Sequence, residues 1–248
     1  MRILLVGATG AMGKMVAQVA EEYDNAEIVA GIANDSLPTS FPLYRDFADV
    51  KENFDCIIDF SNCAATPALL DFIEASGKRA VIGTTNLSDE IKARIAKIGE
   101  RTPILYTQNM SLGVNTIDNV VKYLANALVD FDIEIIEKHH NKKTDAPSGT
   151  AEMLFRTIQS QRAQAYEIND RSTKNGKRDK NEVGVLSLRG GTIVGEHSVI
   201  FAGIDEVIEI KHTAGSKKVF ANGALQAALF LMRKESGFYS MKDVLAGE

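Results

Sequence analysis

The chain has 248 residues, 45% of them hydrophobic and 25% charged, which is the mix of a soluble globular protein with one large or two small domains. Lys and Arg total 28 against 33 Asp and Glu, and the resulting net charge of −5 argues against sequence-independent nucleic-acid binding. Two cysteines exclude a disulfide scaffold, and with no apolar run of about 18 residues to cross a membrane the expectation is a cytoplasmic protein with neither membrane nor nucleic-acid partner.

Strand-like and helix-like segments alternate through roughly the first hundred residues. Ile3 to Val6 is a short apolar run closed by Gly7, too short for a secretion signal and typical of a buried strand. Met12, Val16, Val19, Ala20 and Tyr23 then recur at helical spacing. Apolar runs at Ile28 to Ala33, Cys56 to Phe60, Arg79 to Gly83 and Pro103 to Tyr106 read as further strands. Helices are expected over Ala64 to Ser76 and Ser88 to Gly99. Such alternation predicts an α/β fold built on a doubly wound parallel sheet. Beyond residue 110 the order changes to helix (Val114 to Leu128), strand (Asp132 to Ile135), helix (Gly149 to Gln164), a polar stretch (Asn169 to Glu182) and three strands. The strands cover Val183 to Arg189, Ile193 to Ala202 and Val207 to His212, an α+β pattern. A last apolar helix, Ala221 to Arg233, is placed to return to the first domain. Domain limits are therefore expected at 1–110 with 220–248, and at 111–219.

Gly7-Ala8-Thr9-Gly10-Ala11-Met12-Gly13 joins the first strand to the first helix. Glycines at this spacing permit a tight turn and close approach of a pyrophosphate to the helix N-terminus. An acid that would grip the adenosine ribose belongs at the end of the second strand. Glu27 opens that strand and so lies at the wrong end; the correct end reads Ala33-Asn34-Asp35. Three further strand ends carry Asp59-Phe60-Ser61, Gly83-Thr84-Thr85-Asn86 and Thr107-Gln108-Asn109-Met110-Ser111. Loops of this kind on one rim beside a glycine turn form a ligand crevice.

The segment from Glu134 to Ala151 carries the chemistry. His139 and His140 are adjacent and, in strand geometry, point to opposite sides, so they do not chelate one metal; no metal site is expected. Histidine titrates near neutrality and suits proton transfer, while Lys143 can donate a proton or hold a carboxylate. Pro147-Ser148-Gly149-Thr150 opens a helix with Ser148 as its cap, an anion cradle suited to a small dicarboxylate. Cys56 and Cys63 lack activating neighbours and are not read as nucleophiles. His197 and His212 fall in alternating strands and read as structural; the basic stretch Lys174 to Lys180 reads as a solvated loop.

Taken together, Glu137-Lys138-His139-His140, Lys143 and Asp145-Ala146-Pro147-Ser148-Gly149-Thr150-Ala151 resemble the bacterial 4-hydroxy-tetrahydrodipicolinate (dihydrodipicolinate) reductases of the diaminopimelate and lysine pathway. Gly83-Thr84-Thr85, Asn109 to Asn115, Gly195-Glu196-His197 and Phe220 to Ala224 extend the resemblance over most of the chain. It implies a Rossmann domain completed by the C-terminal helix, an intervening α+β domain for substrate binding and tetramerisation, and a homotetramer. It also implies His139 and Lys143 as catalytic proton carriers, with His140, Lys143, Ser148, Gly149 and Thr150 at the substrate. Gly7, Ala8, Thr9, Gly10, Ala11, Met12, Asn34, Gly83, Thr84, Thr85, Thr107, Gln108, Asn109 and Met110 would then hold NADPH or NADH. Three residues depart from the family pattern. Ala33 stands where many members have an acid, Asn86 where glycine is common, and Met110 where Phe is common. With no acid and no adjacent cation, use of both cofactors is expected, NADPH slightly favoured. Rival readings are a dehydrogenase of another small acid and a non-catalytic nucleotide sensor.

Overall fold

The computed structural model describes residues 1–35, 37–172 and 174–247. It divides into two compact units, Met1–Leu112 with the segment from Lys217 onward, and Gly113–Ser216. These limits lie two or three residues from those expected.

The first unit contains β1 (Arg2–Val6), α1 (Ala11–Ala20), β2 (Glu27–Ile32), β3 (Leu43–Tyr44), β4 (Cys56–Asp59), α2 (Thr66–Ser76), β5 (Arg79–Ile82), α3 (Asp89–Gly99) and β6 (Pro103–Tyr106). Its strands form one seven-stranded sheet that also takes in β12, described below. Every pairing is parallel. Alternation along each strand splits the core in two, because successive side chains leave opposite faces. Ile3, Leu5, Cys56, Ile58, Val81 and Leu105 join one cluster. Leu4, Val6, Ile57, Ala80, Ile82 and Ile104 join the other, with α2 and α3 packed over them. Both faces are covered, hence the near-continuous apolar runs in the sequence. From β1 the chain moves outward to β2 and β3, then crosses to β4 on the other side. The carboxyl ends of β1 and β4 are thus a topological switch point, where ligands of such sheets bind.

The second unit holds β7 (Asp132–His139), α5 (Gly149–Gln161), β8 (Tyr166–Ile168), β9 (Glu182–Arg189), β10 (Gly195–Ala202) and β11 (Val207–Ala214), with most of α4 (Leu112–Ala127) preceding them. Its sheet runs β11-β10-β7-β9-β8; β10 is antiparallel to β7 and β11, and β9 is parallel to β7 and β8. α4 and α5 bury Val121, Ala125, Leu154 and Ile158 against Ile133, Ile135, Val185, Val199 and Phe201. The polar stretch expected as a solvated loop is instead anchored. Arg178 donates to Asp132 and Glu134 and to the backbone of Ile133 and Glu182, and Arg171 pairs with the buried Glu182.

The chain then returns to the first unit as α6 (Lys218–Leu231), β12 (Gly237–Tyr239) and α7 (Met241–Ala246). Ala221, Ala224, Leu225, Ala228 and Leu231 of α6 are fully buried in the same cluster as Ile3 and Leu5.

Candidate active site

The glycine turn is shaped by contacts that only glycine allows. Gly7 has φ +77°, and a Cβ there would lie 2.5 Å from the Phe60 carbonyl oxygen. A Cβ on Gly13 would lie 2.2 Å from the Gly7 oxygen. The turn is pinned to β2, since the N–H groups of Gly7 and Ala8 both donate to Ile32 O, at 2.9 and 3.1 Å. Gly10 is the N-cap of α1, no side chain caps that end, and the first turn carries no acid. The N–H groups of Ala11 and Met12 therefore offer a positive, uncapped helix end to an anion. These features fit a dinucleotide pyrophosphate.

Cavities lie on either side of the turn. One of about 220 Å³ is lined by Gly7, Ala33, Asn34, Arg45 and Ser61. Arg45, which follows the second strand only in the next loop and could approach its end from there, lines this cavity with Ala33 and Asn34. The other cavity, about 370 Å³, is lined by Met12, Ser61, Gly83, Thr84, Asn109 and Met110, with Thr85, Thr107 and Gln108 beside them. Thr107 and Asn109 lock their loop: Thr107 Oγ1 accepts from Asn109 N at 3.2 Å, and Asn109 Oδ1 accepts from Ser111 N at 2.8 Å. Asn86 has φ +58°, which explains why it replaces glycine: asparagine tolerates the left-handed region better than most residues.

In the second unit, β7 continues four residues beyond the expected Ile135, to His139. Ile133, Ile135, Glu137 and His139 all lie on its buried face, so an apolar row turns polar at the carboxyl end. Register assembles the rest, since directly opposed residues share a face. His197 of β10 faces Glu137, and Arg189 of β9 faces His139. Glu137 Oε2 meets His139 Nδ1 at 2.6 Å. Arg189 grips the same carboxylate with both nitrogens, at 2.8 and 2.7 Å, and also donates to Asp145 O at 2.6 Å. Ser148 N donates to Glu137 Oε1 at 3.2 Å. Burial alone would raise the Glu137 carboxyl, but hydrogen bonds from Arg189, Ser187 and His139 hold it at about 2. Burial lowers the His139 pKa, and the Glu137 charge opposes that fall. With Nδ1 engaged by Glu137, Nε2 is the nitrogen left for chemistry. Gly195 leaves that nitrogen room, because a Cβ there would stand 3.1 Å from it.

Ser148 caps α5 as its position suggested, accepting from Ala151 N at 3.2 Å. Its hydroxyl also meets His197 Nε2 at 2.8 Å, and the His139 and His197 rings stand edge to face at 5.2 Å. His197 is thus part of the cluster and not an isolated core residue; burial, with the nearby His139, lowers its pKa to about 4. No sequence spacing flags this contact, because 49 residues separate it from Ser148. Lys143 holds both Asp145 oxygens at 2.8 Å. Gly149 opens α5 with open space where its Cβ would be, and Thr150 follows in the first turn. The Nδ1 of His140 is buried with no hydrogen-bond partner among the described residues. No group of three metal-type ligands occurs among the described residues. Cys56 is buried in β4, where desolvation pushes its thiol up to about 12.

A dinucleotide-type crevice in one unit and a carboxylate-oriented histidine beside a helix N-terminus in the other define an oxidoreductase that uses a pyridine nucleotide. Residues 1–110 match the family profile for the dihydrodipicolinate reductase N-terminus, and residues 113–245 that for its C-terminus. The chain belongs to the dihydrodipicolinate reductase family. It is 46% identical over 247 residues to the 4-hydroxy-tetrahydrodipicolinate reductase of Caldanaerobacter subterraneus subsp. tengcongensis, covering 98% of both chains. It is 44% identical over 245 residues to that of Staphylococcus aureus, covering 98% of this chain and 100% of the other. The fold resembles that of the dipicolinate-bound dihydrodipicolinate reductase from Paenisporosarcina sp. TG-14, with a TM-score of 0.83 at 21% identity over 97% of each chain.

Proposed function

We propose that the protein reduces 4-hydroxy-tetrahydrodipicolinate to tetrahydrodipicolinate with NAD(P)H, in lysine and diaminopimelate biosynthesis. Family membership over the whole chain, joined to the Glu137–His139 pair beside the α5 N-terminus, carries this reading. The bound nucleotide supplies the hydride to the substrate ring. The chain contributes position, charge and the proton. His139, oriented by Glu137, delivers a proton from Nε2, or Lys143 does so once it leaves Asp145 for the substrate. The N–H groups of Gly149 and Thr150, at the helix start that Ser148 caps through Ala151 N, hold one carboxylate, and His140 with Lys143 holds the other. Gly7 to Met12 cradle the pyrophosphate, Asn34 meets the adenosine ribose, and Gly83 to Thr85 with Thr107 to Met110 hold the nicotinamide half. Adding enzymatically generated 4-hydroxy-tetrahydrodipicolinate to enzyme and NAD(P)H should make the nucleotide absorbance fall. An unchanged absorbance alongside measurable nucleotide binding would leave the sensor reading in its place.

For the cofactor, Ala33 neither accepts from a ribose hydroxyl nor repels a 2′-phosphate, and Arg45 lines the same cavity. NADPH and NADH should both serve, within roughly tenfold in kcat/KM and leaning to NADPH. Ala33→Glu should move the preference towards NADH. A homotetramer is proposed through the second sheet, where Leu186 and Leu188 are 37% and 49% exposed. Light scattering on the purified protein tests it.

A further inference from the structure

Asp59 ends β4 at the switch point and is fully buried. A buried carboxylate is costly unless paired, yet no Lys, Arg or His approaches it among the described residues. Neutral donors converge on it instead. Oδ1 accepts from Ser61 N at 3.0 Å and from Ser61 Oγ at 2.5 Å. Oδ2 accepts from Thr84 Oγ1 at 2.6 Å. The two hydroxyl oxygens are 3.4 Å apart, and both residues line the 370 Å³ cavity. A hydroxyl has one hydrogen and two lone pairs. Once its hydrogen is committed to Asp59, it can only accept.

We propose that Asp59 is a positioning residue for the nicotinamide half of the cofactor. It takes the hydroxyl protons of Ser61 and Thr84 and turns their lone pairs towards the cavity. The wall so formed accepts hydrogen bonds from ribose hydroxyl or carboxamide N–H groups and disfavours phosphate. The two halves of the crevice are thereby opposite in character. The glycine turn donates to the pyrophosphate, and the Ser61–Thr84 wall accepts from the nicotinamide side. A dinucleotide can then lie in one direction only. This rests on the nucleotide-binding reading above.

The test is binding of NADH and of ADP to wild type, Asp59→Asn, Thr84→Val and the double variant, with melting curves for each. The asparagine keeps the shape but gives up two acceptor positions for donors. NADH affinity should fall about tenfold in Asp59→Asn, while ADP affinity stays within twofold. Thr84→Val should weaken NADH in the wild-type background and add little to Asp59→Asn, since the Thr84 hydroxyl it removes is one of the two that Asp59 orients. Unchanged NADH affinity in Asp59→Asn overturns the proposal. So does equal loss of both ligands, which would mark Asp59 as a prop for the whole turn, and so does full additivity in the double variant. If Thr84→Val does not fold, the contrast between NADH and ADP in Asp59→Asn alone decides. Wild type that binds neither ligand would instead remove the nucleotide reading itself.

Discussion

A single carboxylate, Glu137, organises the chemistry of the second unit. It is fully buried, yet it bonds His139, both arms of Arg189 and the backbone of Ser148. Strand, neighbouring strand and helix start are thus tied at one point. His139→Gln and Lys143→Ala should each lower kcat by roughly 10²-fold or more, the usual scale for a general acid. NADH affinity should be unchanged in both, because the nucleotide residues belong to the first unit. Steady-state kinetics with a separate binding titration decide the matter; near-wild-type turnover in either variant removes its assigned role. His197 brings a pH dependence of stability. Its pKa falls from 6.5 to about 4 on folding, chiefly by burial. Between those values the unfolded chain binds a proton that the folded chain refuses, so stability declines as pH falls through that window. Urea midpoints at pH 7 and pH 5 should differ in wild type and differ less in His197→Gln. An equal difference in both would place the effect elsewhere.

The α1 helix and its turn show how an element is set by what it must approach. Gly13→Ala would thrust a Cβ to 2.2 Å from the Gly7 oxygen, a clash with backbone that no rotamer relieves. The turn must shift, and NADH affinity should fall by tenfold or more while α5 and the His139–His197 pair of the second sheet stay in place. Calorimetric titration of NADH, with dipicolinate binding as the control, measures this. Much of such architecture was legible from sequence. β1, β2 and β4 to β6 announce themselves because burial on both faces leaves continuous apolar runs. α3 and α5 announce themselves through Ser88 and Ser148, each of which accepts from the backbone N–H three residues on. β3, β8 and β12 were not legible: at two or three residues they are too short for any period to register. The carboxyl half of β7 was hidden for another reason. Glu137, Lys138 and His139 resemble a solvated loop until Arg189 and His197 arrive on the neighbouring strands. Long-range pairing, which no local pattern encodes, also brought Arg178 to Glu134.

At the scale of the molecule, one unit interrupts the other. The core of the first unit draws on α6, whose Ala221, Ala224, Leu225 and Leu231 are fully buried against β1, β4 and β5 side chains. The second unit is continuous in sequence and has a core of its own. Expressed alone, residues 113–216 should give a cooperative melt, whereas residues 1–112 should not. Circular dichroism melts of the two fragments compare them, and a folded 1–112 would mean that α6 is dispensable. For a chain emerging from the ribosome, the interruption reverses the usual order. The first unit, though made first, must wait for α6, while the second can finish as soon as it is out. At about 5–20 residues per second, the 104 residues from Gly113 to Ser216 impose a delay of roughly 5–20 s. Throughout it, the face bearing Ile3, Leu5, Ile58 and Val81 has α1 against it but lacks the cover of α6. Nascent protein is then at its stickiest until α6 emerges, and a chaperone that shields apolar strands would be needed in that interval above all.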